Sequence, residues 1–436
     1  MLRSRNFFEI DFIILFAVLC LTAIGILFIY SSGVSSDGGP ASTEYLRQIV
    51  WVLFGLALAL AISMFNYKRI YDLTVYFYLG TVALLVLTFV IGRVYGSRWL
   101  RFGAFGIQPS EFAKIATILF LAWYLDSRKR SQGVFARFIV CGVIALIPMF
   151  LILLQPDLGT ALVFIPILMG MTYIAGIPVR YILFFGLYII LAGVLLVLPL
   201  WQNYIMNNAF PALMGLVNTR FVAAACLILA LMFVIAIFGF LRFKKNYFYW
   251  ISYIVGMLIF SLGTSFVAAR TLREYQLMRL IVFLDPNVDP RGFGWQIIQS
   301  TTAIGSGGAF GRGFLQGTHS HYHFLPAQST DFIFSILSEE WGFAGGIFLF
   351  ALFLVILLRL IRIMRITTDS FGSYIVAGLI SMYAFHFIIN VGMTMGIMPI
   401  TGIPLMFVSY GGSAMLSAMM GIGLAFSVHV RRYLQS

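Results

Sequence analysis

Apolar residues run in stretches of about twenty along the whole chain, separated by short polar clusters. These runs predict helices near residues 12–30, 47–65, 73–92, 112–125, 137–154, 159–176, 181–200, 221–241, 248–268, 343–363, 373–395 and 405–428. A helix needs about 20 such residues to cross a hydrocarbon core of about 30 Å. The pattern therefore predicts an all-α fold, a polytopic helical membrane protein of about 12 transmembrane segments. The fourth run is short and opens with "QPSEF", which suggests a tilted or partly re-entrant segment. The first run follows only Arg3 and Arg5 and is of spanning length, so it reads as a span and not as a cleaved signal.

Composition agrees. The chain is 61% hydrophobic and 10% charged, against about 45–50% apolar and about 25% charged in soluble domains. A net charge of +13 raises nucleic acid as a partner, but the charges are dispersed between spans. With the amino terminus inside, alternate loops carry Arg3 and Arg5, then Lys68 and Arg69, then Arg128, Lys129 and Arg130. Arg180 follows, then Arg242, Lys244 and Lys245, then Arg359, Arg362 and Arg365, and last Arg431 and Arg432. Orientation follows such a Lys/Arg bias in short loops, so both termini are expected on the cytoplasmic side. Cys20, Cys141 and Cys226 all lie inside apolar runs with no CxxC spacing, which argues against disulfides and zinc.

The other side then owns the unusual segments. They are "GRVYGSRWLRFGAFGIQPSEFAK", the turn "QPDLGT", and a long segment, Ala269 to Gly342, that holds "PAQSTDFIFSILSEEWG". No Lys or Arg accompanies the three acids of that last motif. On a continuous helix Glu340 would fall opposite Asp331, and Glu339 about 80° from it, so no close carboxylate dyad is expected. Asp331, if it acts alone, is a candidate base; as a residue type it is equally a helix N-cap, as are Ser329 and Thr330. Glu111 and Lys114 are three apart, on one side of a helix. They read as a mutual ion pair, or as an intramembrane pair lining a wet cavity, with Lys114 able to meet a phosphate. Arg98 and Arg101 fit anion binding, and Trp99 fits bilayer anchoring.

Weaker signals surround these. Asp157 after Pro156 reads most simply as an N-cap and Gly159 as a packing residue. "AIGSGGAFGRGF" resembles a phosphate cradle but lacks GxxxxGK[ST], and reads better as a flexible turn. His319, His321 and His323 have no carboxylate at ligand spacing to support a metal site. Ser409, Tyr410 and Ser413 either line a cavity or bond to backbone groups freed by a broken helix. Three classes remain: an enzyme acting on a lipid-linked anionic substrate, a transporter of one, and, least favoured by the buried charges, a passive scaffold.

The blocks "SRWLRFGAFGIQPSEFAKI", "QPDLGTAL", "LDPNVDPRGFGWQIIQSTTAIGSGGAFGRGF", "FLPAQSTDFIFSILSEEWGF" and "GIMPITGIPLMFVSYGGSAM" resemble, in order, the motifs of the SEDS family (shape, elongation, division and sporulation). "LPAQSTDF" and the short amino-terminal tail favour its elongation branch over its division and sporulation branches. The resemblance covers nearly the whole chain. It implies a peptidoglycan glycosyltransferase that polymerises lipid II, an undecaprenyl-pyrophosphate-linked disaccharide-pentapeptide, at the outer face of the bacterial cytoplasmic (inner) membrane. It further implies a class B penicillin-binding protein as partner within the elongation machinery, membrane lipid around the chain, and no nucleic acid. Asp331 aligns with the family's essential aspartate. Glu111 and Lys114 align with the family's Glu and Lys of the fourth span, and the expected substrate-binding set is these two with Arg98, Trp99, Arg101, Gln155, Asp157, Glu339, Glu340 and Ser409. A divalent cation, magnesium or manganese, is the one cofactor expected, with its ligands unassigned. The older view of the family as a lipid II flippase is the alternative. The chain is expected to form a single membrane domain, 1–436. Family members have ten spans, so the segment 201–268 is expected to be an inserted helical hairpin and 269–342 the large outer loop.

Overall fold

The computed structural model describes residues 10–34, 42–95, 99–102, 105–128, 133–205, 215–272, 274–318 and 325–432, with the backbone alone given for 92–95, 101, 102 and 105. Fifteen α-helices are named here in chain order: α1 Phe12–Ser32, α2 Glu44–Met64, α3 Thr74–Tyr95, α4 Pro109–Ser127, α5 Val134–Leu154, α6 Leu158–Leu162, α7 Phe164–Ile174, α8 Val179–Tyr204, α9 Thr219–Phe243, α10 Asn246–Thr271, α11 Glu274–Leu284, α12 Phe293–Ser306, α13 Ile333–Ile366, α14 Ser370–Thr394 and α15 Gly412–Val430. Leu100–Phe102 and Phe105–Ile107 form a small antiparallel pair, with Leu100 opposite Ile107. Among the described residues, ten helices are long and apolar enough to cross a membrane. The chain is an all-α, multi-pass protein.

Two predicted spans fall outside those ten for physical reasons. The fourth, α4, carries Glu111, Lys114 and Asp126. The sixth is interrupted at Val163, between α6 and α7. Pro166 explains the break, since its ring would collide with the carbonyl four residues back and it has no N–H to give. The long outer segment also differs from expectation. Its last ten residues, from Ile333, are not loop but the first turns of α13, which bends at Gly342 (φ 65°, ψ −160°).

The chain divides into two compact units, Met1–Ile177 with Gln299–Ser436, and Pro178–Ile298. In the second, α9 and α10 form an antiparallel hairpin that turns at the left-handed Lys244. There α10 is fastened to α8 by Tyr253 Oη donating to Arg180 O (2.8 Å) and by the Tyr188–Thr264 hydroxyl pair (2.8 Å). This unit is wider than the expected 201–268 segment, because it also takes in α8 and α11.

In the first unit, α15 and α2 pack through small residues. A side chain at Gly423 would strike Ala59 O at 2.7 Å, the close approach that replaces hydrophobic drive between membrane helices. Polar groups gather at the two ends of this bundle. At one end Asp11 caps α1 and accepts from Arg359 Nε at 2.9 Å. Tyr67 Oη donates to Asp369 at 2.9 Å, and Arg431 donates to Ser63 O (3.0 Å) and Met64 O (2.6 Å) at the close of α2. These are the ends the Lys/Arg bias groups together. The opposite end carries the candidate site.

Candidate functional site

Asp331 stands two residues before α13, in a turn held by Asp331 N donating to Ala327 O (3.0 Å). The α13 N-cap is Phe332, whose side chain cannot cap. Because the helix starts at Ile333, the helical angles expected between Asp331 and the two glutamates do not apply. The turn is bound to the non-helical segment 396–411 that joins α14 to α15. Tyr410 N donates to Ser329 O at 2.9 Å, and Ser409 Oγ donates to Thr330 O while accepting from Leu405 N at 2.8 Å. Asn390 Nδ2 reaches both Asp331 O (2.9 Å) and Ile403 O (2.7 Å). Gly402, at φ +71°, lies under the Asp331 carboxylate: a Cβ there would be 3.4 Å from Oδ2. Ser409 and Ser413 therefore serve backbone groups, Ser413 Oγ accepting from Gln108 N at 3.0 Å.

Next to this turn, α4 presents its first two turns. Pro109 opens the helix, where its missing N–H costs nothing. Lys114, fully buried, donates to Glu111 Oε2 at 2.8 Å. The ion pair expected from the spacing is formed, and it has a third member that the sequence did not suggest. His386 Nε2 lies 3.1 Å from Lys114 Nζ, and His386 Nδ1 lies 3.1 Å from Pro404 O. The signal available was an ionisable residue inside an apolar run, "YAFHFII".

Asp157 caps α6, accepting from Thr160 N (3.2 Å) with one oxygen and from Gln108 Nε2 (3.0 Å) with the other. Gln155 Nε2 donates to Leu85 O (2.8 Å) and Thr88 Oγ1 (3.1 Å), joining α5 to α3. Trp99 is about one-third exposed, its ring over Gly106. Arg98 and the three histidines 319, 321 and 323 lie outside the described residues, as does the Arg101 side chain.

Glu339 and Glu340 are both fully buried. Glu340 accepts from Ser31 Oγ and from Leu315 N (3.1 Å), and Glu339 accepts from Thr318 Oγ1 (3.1 Å). Beside them the glycine-rich segment is laid along the bend of α13. Phe343 N and Ala344 N, freed by the bend, donate to Gly308 O (2.9 Å) and Ala309 O (3.0 Å). In return Arg312 N and Gly313 N donate to Glu339 O and Glu340 O, each at 3.0 Å. Those N–H groups are committed to the helix, so they do not cradle a phosphate, and the segment is a fitted splint and not a flexible turn. Alongside runs an apolar groove of about 210 Å³ bordered by Ile304, Phe334, Phe343, Ile347, Phe350 and Met395.

Among the described residues no three His, Cys, Asp or Glu side chains converge to hold a metal ion. What the site offers is one partly exposed carboxylate, Asp331, on a braced turn, with a buried cation nearby.

The family model FTSW_RODA_SPOVE, described as "Cell cycle protein", matches residues 12–210 and 205–434. The chain is 49% identical over 439 residues to the peptidoglycan glycosyltransferase RodA of Treponema pallidum, covering 99% of this chain and 100% of that one. It is 30% identical to a probable peptidoglycan glycosyltransferase FtsW of Trichlorobacter lovleyi, covering 96% and 93%. A chain from a structure described as "Structural coordination of polymerization and crosslinking by a peptidoglycan synthase complex" superposes with a TM-score of 0.67 at 26% identity, over 98% of this chain and 99% of that one. Motifs, helices and these full-length matches converge: the chain belongs to the cell cycle protein family that contains FtsW, RodA and SpoVE, the SEDS family.

Proposed function

We propose that the chain is a peptidoglycan glycosyltransferase of the elongation type, polymerising lipid II, and that Asp331 is its general base. The observation that carries the base assignment is the contrast among the acids. Glu111, Glu339 and Glu340 are buried, whereas Asp331 is partly exposed on a turn fixed from three directions. The acceptor sugar's 4-hydroxyl oxygen attacks the donor's anomeric carbon, the bond to pyrophosphate breaks, and the hydroxyl proton passes to Asp331. A single displacement turns the α-linked donor into a β-1,4 glycan. General-base help of this kind contributes about 10²–10⁴-fold.

Charge grows on the leaving pyrophosphate and calls for cations. Lys114 has one N–H beyond those given to Glu111 and His386, and Arg98 and Arg101 complete the set. Trp99, Gln155, Asp157 and Ser409 shape the site through the contacts described above, and Glu339 and Glu340 act through the splint they hold. The apolar groove beside α13 has the chemistry to take part of a polyprenyl chain.

In this reading there are twelve spans, both termini are cytoplasmic, and the Asp331 end faces the exterior of the inner membrane. The hairpin of α9 and α10 is an addition to a ten-span frame. The end-to-end match with the Treponema relative supports its presence there too. A class B penicillin-binding protein is the expected partner, consistent with the synthase complex to which the fold is similar. A flippase would need uncommitted polar groups through the bundle. The charges at the far end are instead paired, Asp11 with Arg359.

Purified chain with its partner should polymerise lipid II into glycan strands, and a folded Asp331→Asn variant should lose about 10²–10⁴-fold. Equal polymer from both would remove Asp331 from the role.

A further inference from the structure

His386 has no part in the reaction as drawn, yet it is buried between the two halves of the site. A carbonyl oxygen can only accept, so the ring proton sits on Nδ1, facing Pro404 O. Nε2 keeps its lone pair, and that is the nitrogen the Lys114 ammonium meets. A doubly protonated ring would set an N–H against the ammonium, so the two contacts together require a neutral ring with one tautomer. Each contact leads to a different catalytic group. Through Nε2 the ring fixes the direction of Lys114. Through Nδ1 it fixes the carbonyl of Pro404, two residues from the Gly402 that underlies Asp331 and next to the Ile403 whose carbonyl shares Asn390 with Asp331.

We infer that His386 is a positioning residue that aligns Lys114 and the Asp331 turn with one another, which a substrate bridging pyrophosphate and acceptor hydroxyl requires. The inference rests on the roles given to Asp331 and Lys114 above. With two ammonium N–H groups held by Glu111 and His386, one N–H remains for a substrate phosphate. With Pro404 held, the floor under the Asp331 carboxylate stays in register with it.

The test uses the full chain in lipid nanodiscs with its class B partner, lipid II as substrate, and wild type, Asp331→Asn, His386→Ala, His386→Asn and His386→Gln. An Asn amide N–H overlays Nδ1, and a Gln amide oxygen overlays Nε2. His386→Ala should lose about 10²-fold in kcat, the scale of a misplacement of about 1 Å. His386→Asn should regain kcat to within about tenfold of wild type with KM still raised. His386→Gln should restore KM and recover kcat in part, because Lys114 meets charge that grows on the leaving pyrophosphate. A structural role alone would lower folded yield and leave turnover per folded molecule unchanged in all three, and that result would overturn the inference. So would equal losses with no recovery in either amide variant.

Independently of activity, nitrogen-15 NMR of histidine-labelled protein should show a neutral, Nδ1-protonated ring for the signal missing in His386→Asn. In Lys114→Met its Nε2 resonance should move while Nδ1 stays protonated. An Nε2-protonated or doubly protonated ring would refute the arrangement. The two readings fail separately. An active Asp331→Asn removes the base, whereas an inactive Asp331→Asn beside fully active His386 variants removes only the role of His386.

Discussion

Beneath Asp331 the fit is set by side chains that are not there. A methyl group at Gly159 would run into Thr401 O, and one at Gly402 would meet Asp331 itself. Gly159→Ala must therefore displace the 401–403 backbone that underlies the carboxylate, at a cost of about 1–3 kcal/mol for overpacking. We expect it to lower lipid II polymerisation by tenfold or more while the helical circular dichroism is kept; unchanged polymerisation would show that the floor is not critical. At this scale the sequence was readable where partners are neighbours. Glu111 and Lys114 announce each other by spacing. Asp331 announced only its own chemistry, because Asn390, which binds its backbone, lies 59 residues on. His386 is 272 residues from Lys114, and in an apolar run a single His looks like packing until the chain is folded.

At the scale of elements, α13 shows why a boundary was misplaced. Hydropathy starts the helix at 343, since Glu339 and Glu340 look like loop residues, but the helix begins ten residues earlier and is bent at Gly342. The bend is tolerable because residues 308–313 satisfy the four backbone groups it exposes. Gly342 needs its positive φ, and a Cβ would lie 2.8 Å from Phe310 backbone atoms. Gly342→Ala should cost at least about 1–3 kcal/mol, read as a fall in the midpoint of thermal unfolding in detergent. Gly263→Ala in α10, where nothing lies within 4 Å of the new methyl, serves as a control and should be neutral or slightly stabilising. A matching pair of melts would mean the splint contributes no stability. The break between α6 and α7 was also in view, as Pro166, but a hydropathy window averages over it.

For the whole molecule, the alternation of Lys and Arg predicted which helix ends belong together, and Asp11, Tyr67, Asp369 and Arg431 are joined at one end by their own bonds. Pattern alone did not show that α8 and α11 join the hairpin in a separate unit, because that depends on which apolar faces choose each other. Orientation can be read directly. With the three native cysteines replaced, a membrane-impermeant maleimide on intact cells should label Thr43→Cys, before α2, and spare Ser127→Cys, at the end of α4. Labelling of the second and not the first would invert the topology and place Asp331 inside.

The bend in α13 also bears on how this segment enters a bilayer. Its 34 residues would extend about 51 Å at about 1.5 Å each, well beyond a hydrocarbon layer of about 30 Å. The part beyond Gly342, roughly 36 Å by the same rise, is sufficient by itself. The bend thus separates a membrane-crossing rod from a short buried stub, and Glu339 and Glu340 fall on the stub. At mid-depth an acid would oppose insertion by about 2.5–3.5 kcal/mol. Set at the head of the rod, the pair can serve the splint without either carboxylate resting in the oily middle of the membrane.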